Sequence, residues 1–418
     1  MEQGKDLLEP DNITAFRKWL LGNGAKIHPT VYFESHTWGF SVRTRVALQP
    51  DTTIVSAPFS FAITAELAGD ALEDILGAAL RELSERELIC TYICMHWVIG
   101  EQSLRHFPYL NTLPSPPKLR TPLHFTDNEL QAFKGTNLYG ATLDRKRQWE
   151  AEWQRCRDLI KPINEQWAAD LTWDRYLAAS TYLSSRAFPS SILSRSPTLS
   201  ATPSSYPVLL PGIDALNHSR AQPVSWLVTY PDSGSASEEP SISLVLHSAQ
   251  DAGSELFNNY GPKPNSELIL GYGFSLKRNP DDTIVLQLGG TEKKWEVGRD
   301  ARGLEGVWEQ VLHAVQGPEG SSDDGGVESD WQDEMEAANV LQEMTQALLD
   351  RLPPFPPAGA VREEIKVMLD HYLEGQRAIL RSILEFALDK EGAVIRKARE
   401  AGIEIVDDDI QNEESDPL

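Results

Sequence analysis

Three clusters of residues have the types and the order to do chemistry. The first is Ser185-Arg186-Ala187-Phe188, and the second runs Leu210-Pro211-Gly212-Ile213-Asp214-Ala215-Leu216-Asn217-His218-Ser219. The third extends from Gly253 and Glu255 through Asn259-Tyr260-Gly261-Pro262-Lys263 to Asn265, Glu267-Leu268 and Gly271-Tyr272-Gly273-Phe274. An arginine fork such as Arg186 suits a carboxylate, and a tyrosine such as Tyr260 offers a polar tip on an apolar ring. Taken singly, each has a plain structural account. Asn217-His218 reads as a turn with a capping Asn, Arg186 as a surface ion pair, and Asp214 as a helix cap. Tyr260 reads as a strand end before a Gly-Pro turn. Cys90, Cys94 and His96 could be metal ligands by type, but a fourth ligand at finger-like spacing is missing and the surroundings are apolar. Reduced core thiols and no metal are expected. Neither GxGxxG nor GxxxxGK[ST] occurs, which disfavours a Rossmann-type or other nucleotide-binding domain.

These clusters must be positioned by elements that the patterning predicts. The segment ITAFRKWLLGNGA has helical spacing and stops at Gly22-Asn23-Gly24. VYFESHTWGFSVRTRVALQPDTTIVSAPFSFAIT, dense in β-branched and aromatic residues, predicts several short strands. From Ala65 to about Ala187 helices dominate, with Leu72, Ile75, Leu76, Ala79, Leu80 and Leu83 on one stripe. The Ser/Pro-rich stretch from Pro189 to Tyr206 reads as an exposed loop, and strand character returns in LVTYPDSGSASEEPSISLVLHSA as a hairpin. Sheet pieces separated by helices predict an α+β domain. Beyond Pro280 come the strand-like TIVLQL, an acidic low-complexity segment and amphipathic helices on either side of PPFPP.

In order and spacing the three clusters resemble the SET-domain methyltransferases of the RuBisCO large-subunit methyltransferase class, which includes the fungal ribosomal-protein lysine methyltransferases. Pro108-Tyr109-Leu110, Leu113-Pro114 and TPLHFTDNELQAFKGTNL look like that class's helical insert. His371-Tyr372 with Gly375-Gln376-Arg377 looks like its C-terminal helical domain. The resemblance implies a SET fold of small curved β-sheets over 13–276, with a helical insert at about 66–180. An all-α substrate-binding domain over 277–405 would follow, carrying an acidic loop at about 317–333, and then a disordered acidic tail at 406–418.

The resemblance also implies the chemistry. S-adenosylmethionine would donate a methyl group to a lysine side chain, leaving S-adenosylhomocysteine. Such an in-line displacement needs a neutral amine in a dry channel, and burial beside a sulfonium disfavours the ammonium form without a dedicated base. Tyr260 matches the catalytic tyrosine. Arg186, Asn217, His218 and Asp214 match cofactor-binding positions. Gly39 and Phe40 in Trp38-Gly39-Phe40-Ser41-Val42 would bind the cofactor through their backbone, although Ser41 stands where the class has a second glycine. Phe188, Tyr272 and Phe274 would wall the lysine channel, with Trp226 a further candidate. The Cys-rich zinc module that follows the catalytic tyrosine of histone-modifying SET proteins has no counterpart after Tyr260, so a non-histone substrate is expected. Histidine methylation and a non-catalytic SET-like binding scaffold are the alternatives.

The 418 residues carry 62 acidic and 38 basic side chains, for a formal net charge of -24. Such a surface repels phosphate backbones and attracts basic proteins, so a basic substrate, with ribosomal proteins foremost, is expected rather than nucleic acid. No stretch is long and apolar enough for a membrane span, and the start has no signal-like core. The expected setting is therefore the cytoplasm or nucleus.

Overall fold

The computed structural model describes residues 9–37, 39–77, 80, 82–100, 103–231, 239–289, 292–317 and 331–403. They divide into two compact units. The first draws on Met1–Phe125, Thr142–Lys263 and Ile269–Gly273, and the second on Thr126–Ala141, Pro264–Leu268 and Phe274–Leu418.

In the first unit the helix Asp11–Gly22 turns Ile13, Phe16 and Leu20 inward, the i, i+3, i+7 spacing of one helix face. Four strands follow: β1 (Lys26–Ile27), β2 (Val31–His36), β3 (Gly39–Thr44) and β4 (Thr52–Pro58). Six more come after the helices: β5 (Phe188–Pro189), β6 (Pro207–Val208), β7 (Asn217–His218), β8 (Val224–Thr229), β9 (Ser241–Leu246) and β10 (Phe257–Asn258). Strands β1-β4-β9-β8 make one antiparallel sheet, so segments nearly 200 residues apart in sequence lie side by side. Strands β2 and β3 form a hairpin closed at His36↔Gly39, where Gly39 takes φ +145°, a value side chains disfavour. The chain between β4 and β5 is mostly helical, as the periodicity predicts. Its helix Glu85–Val98 opens on a capping box in which Ser84 and Glu87 satisfy each other's backbone N–H. Cys90, Cys94 and Cys156 are free, buried thiols of this core.

In the second unit, β11 (Thr283–Gln287) and β12 (Lys294–Gly298) pair antiparallel beside the helices Glu305–Gln316, Trp331–Arg351 and Glu363–Glu400. The region expected to be all-α is therefore helical with one added hairpin, formed where TIVLQ alternates buried and exposed residues. Ile284, Trp295, Val307, Leu341, Ile379 and Ile383 share its core. Of the acidic loop expected at 317–333, residues 318–330 lie outside the described residues, and so does the tail at 406–418. Among the described residues no helix is long and apolar enough to cross a membrane.

Candidate active site

The site begins with a crossing of the chain. Strand β7 carries Asn217-His218 and pairs parallel to β10, Phe257 opposite Asn217 and Asn258 opposite His218. Gly212, at φ +90°, makes the turn that delivers β7. A Cβ there would stand 3.3 Å from Leu20 Cδ1, so the close approach to the first helix favours glycine. After β10 the chain turns sharply. Asn259 N–H donates to Asn258 Oδ1 (2.8 Å), and Gly261 N–H, in a residue at φ +92°, donates to Asn259 Oδ1 (3.0 Å).

Tyr260 is held inside this turn. Its N–H donates to His218 Nδ1 (3.0 Å), so that nitrogen carries a lone pair and the neutral ring keeps its proton on Nε2. Its hydroxyl donates to the carbonyl of Leu216 (2.9 Å). The rings of His218, Tyr260 and Tyr272 form a stack, with centroids 5.1 Å apart for the first pair and 5.2 Å for the second. Desolvation pushes the Tyr260 phenol above its usual value, partly opposed by the Arg186 cation. It is thus a neutral hydroxyl throughout the physiological range, fit to orient a partner rather than to act as an anion.

Arg186 ends the helix Trp173–Arg186, which starts on a Thr172 cap and leaves the α region at Ala187. Its Nη1 donates to the carbonyl of Asp214 (3.2 Å) and to Asp214 Oδ2 (3.3 Å). The same carboxylate oxygen accepts the Tyr109 hydroxyl at 2.5 Å. Burial raises the Asp214 carboxyl above its ordinary value, and the Arg186 charge is the strongest opposing influence.

A cavity of ≈ 430 Å³ opens over these groups, with Arg186, Phe188, Asp214, Trp226, Tyr260 and Tyr272 in its wall. Phe188 meets Trp226 edge to face at 6.1 Å. Trp226 Nε1 is buried with no hydrogen-bond partner among the described residues. The structure therefore brings together five of the residues expected from sequence and adds Trp226, a minor candidate there. Phe274, expected with them, falls in the second unit. The chain turns between Tyr272 and Phe274 at Gly273, whose φ is +77° and whose added Cβ would come within 2.8 Å of the Arg120 backbone.

Asn217 is placed differently. Exposed, and outside the cavity wall, it donates through Nδ2 to Glu255 Oε1 (2.8 Å) and to the carbonyl of Phe40 (3.4 Å). That contact joins the Gly39-Phe40 hairpin to β7, even though Ser41 replaces the second glycine. Glu255 and Tyr109 hold site residues in place, yet sequence reasoning gave them no role. Each lies far in sequence from the residue it bonds, and neither bond has a local signature.

These small sheets, with β7 and β10 crossing beneath a tyrosine, define a SET-domain fold. A solved structure of the SET domain of LSMT bound to MeLysine and AdoHcy superposes with a TM-score of 0.74, covering 96% of this chain and 99% of that one at 17% identity. The chain is also a relative of fungal ribosomal lysine methyltransferases. It is 34% identical over 274 residues to ribosomal lysine N-methyltransferase set10 of Schizosaccharomyces pombe, a match that takes in 64% of this chain and 46% of that protein. It is 29% identical over 215 residues to ribosomal lysine N-methyltransferase 1 of Saccharomyces cerevisiae, 43% of this chain and 34% of that protein. The chain thus spans less than half the length of these two relatives. No family model matches it.

Proposed function

We propose that the chain is an S-adenosylmethionine-dependent methyltransferase acting on a lysine side chain of a basic, non-histone protein, with a ribosomal protein as the substrate. The observation that carries this reading is the half-apolar cavity with the neutral Tyr260 hydroxyl in its wall, fixed by Leu216 and His218.

The residues present fit the cofactor. Asp214 engages only Nη1 of Arg186, so other N–H groups of the fork are available to a carboxylate. Asn217, its Nδ2 taken by Glu255 and Phe40, offers its amide oxygen as an acceptor. When bound, S-adenosylmethionine supplies a methyl group on a cationic sulfur. Everything else is done by the protein. A lysine amine, with an ordinary pKa of about 10.4, enters a cavity whose aromatic walls and Arg186 charge disfavour the ammonium form. Phe188, Trp226 and Tyr272 hold its alkyl stem, and the Tyr260 oxygen, with its O–H hydrogen-bonded to the Leu216 carbonyl, keeps lone pairs to accept an amine N–H and aim the nitrogen.

Support for the substrate class comes from the two relatives named above and from the net charge of -24. The helical region from 277 onward is assigned to reading that substrate, in the cytoplasm or nucleus. The test is to incubate the protein with labelled S-adenosylmethionine and a ribosomal-protein fraction, then locate the label by mass spectrometry. Label on a lysine of a basic protein is expected, with association weakening as salt shortens the Debye length below about 10 Å at 0.1 M. Label on a histidine, on an acidic protein, or nowhere would contradict the proposal.

A further inference from the structure

We infer that Tyr109 is a positioning residue for this site: its hydroxyl holds Asp214 as the counter-ion of Arg186, and so fixes the corner of the cavity that takes the cofactor's carboxylate. The inference rests on the cofactor reading proposed above.

Tyr109 comes from the short helix Phe107–Leu110, is 1% exposed, and lies behind the cavity wall rather than in it. Its ring packs against Phe16 at 6.0 Å, which sets the direction of the hydroxyl. Asp214 is equally enclosed at 6% exposed, and its Oδ1 is buried with no partner among the described residues. The stabilisation of its charge therefore converges on Oδ2. Two donors meet that oxygen, Tyr109 at 2.5 Å and Arg186 at 3.3 Å. A charge-assisted N–H bond normally runs about 2.7–2.9 Å, so the Arg186 contact is long and the phenol contact is the short one. A carboxylate this enclosed needs such a hydrogen bond to outweigh its desolvation.

The groups around Asp214 leave it as the one to titrate. Tyr109 is pushed well above its usual value, by burial first and then by Asp214. Tyr182 and Tyr260, the next acids nearby, are also raised by burial, and Arg186 stays charged. Without the Tyr109 hydroxyl, Asp214 keeps only the long Arg186 contact and takes up a proton at higher pH, and Arg186 then loses its anionic support. His218 accepts the Tyr260 N–H through Nδ1 and is present in every variant, so its influence is common to all the curves.

The experiment is calorimetric titration with S-adenosylhomocysteine from pH 5 to 9. Tyr109→Phe keeps the ring and should match wild type at high pH. As pH falls its affinity should drop early, with an inflection about one to two pH units above that of wild type, the equivalent of one hydrogen bond to a charged group. The inflection should vanish in Tyr109→Phe/Asp214→Asn. Superimposable curves, or an inflection that survives in the double variant, would overturn the inference. Should Tyr109→Phe fail to fold, Asp214→Asn, whose amide oxygen still accepts from Tyr109, carries the test at pH 8. Affinity roughly tenfold below wild type is expected there, and wild-type affinity would overturn the inference. Absence of binding by the wild type itself is a separate outcome, which removes the cofactor reading instead.

Discussion

The buried carboxylate at the cavity is treated differently from those that fasten the second unit. In the second, Glu129 has both oxygens occupied: Oε1 by Arg362 N and Nε, Oε2 by Arg362 Nη2 and Thr126 N. Asp282 is likewise complete, with Oδ1 accepting Asn265 N–H and Oδ2 accepting Asn265 Nδ2 and Arg299. In the first unit Asp214 has one oxygen shared by two donors and the other with none among the described residues. A carboxylate with donors on both oxygens is a fastener. One left partly matched at a cavity wall belongs to a site whose polar groups are arranged for something other than the resting fold.

Breaking a fastener should produce the largest effect on stability. Arg362→Ala leaves Glu129 buried without its cation, and should cost about 2 to 3 kcal/mol, below the usual range for buried pairs because Arg362 is 33% exposed. Denaturant unfolding read by hydrogen exchange should place the loss in the second unit, with S-adenosylhomocysteine affinity kept. A loss in cofactor affinity instead would erase the distinction. Arg186→Ala makes the converse case, weakening S-adenosylmethionine binding by about 1.5 to 3 kcal/mol through a lost charged hydrogen bond. Calorimetry showing unchanged affinity would remove Arg186 from the site.

Acid should separate the units more gently. His96 donates from Nδ1 to the Tyr92 carbonyl, and His106 donates from Nε2 to the Phe61 carbonyl while its Nδ1 accepts the Tyr92 hydroxyl. Burial lowers these rings to about 4 and about 3. Their folded values lie below the unfolded value of about 6.5, so their contribution to stability is present above that pH and is lost as pH falls toward 4. Glu129 is lowered to about 2 by its Arg362 and Thr126 hydrogen bonds, which outweigh its burial, so its contribution persists until pH drops below its unfolded value of 4.5. Hydrogen exchange in a descending pH series should therefore show protection failing first in the first unit. Simultaneous failure, or the reverse order, would contradict this assignment.

The sequence made the ordered clusters legible because they are local: Asn259 to Gly261 close their own turn, and Arg186 ends its own helix. The periodic helices and the β8–β9 hairpin were legible from their own patterning, whereas the β12 partner of TIVLQ was not. The β7–β10 crossing was legible only through resemblance, since two strands of two residues each carry no pattern. Tyr109 escaped because its partner is 105 residues away, and Glu255 because its bond to Asn217 spans 38. Phe274 is named as a channel wall through the resemblance alone, and it belongs to the second unit.

The most direct test of the account is Tyr260→Phe, followed by single-turnover methyl transfer alongside calorimetry with S-adenosylhomocysteine. The ring stack with His218 and Tyr272 would remain and only the oxygen would go. Transfer should fall by about 10²- to 10³-fold, the cost of one preorganised contact, while cofactor affinity and thermal stability hold. Near-normal turnover would contradict the role given to Tyr260, and so would loss of cofactor binding and folding together.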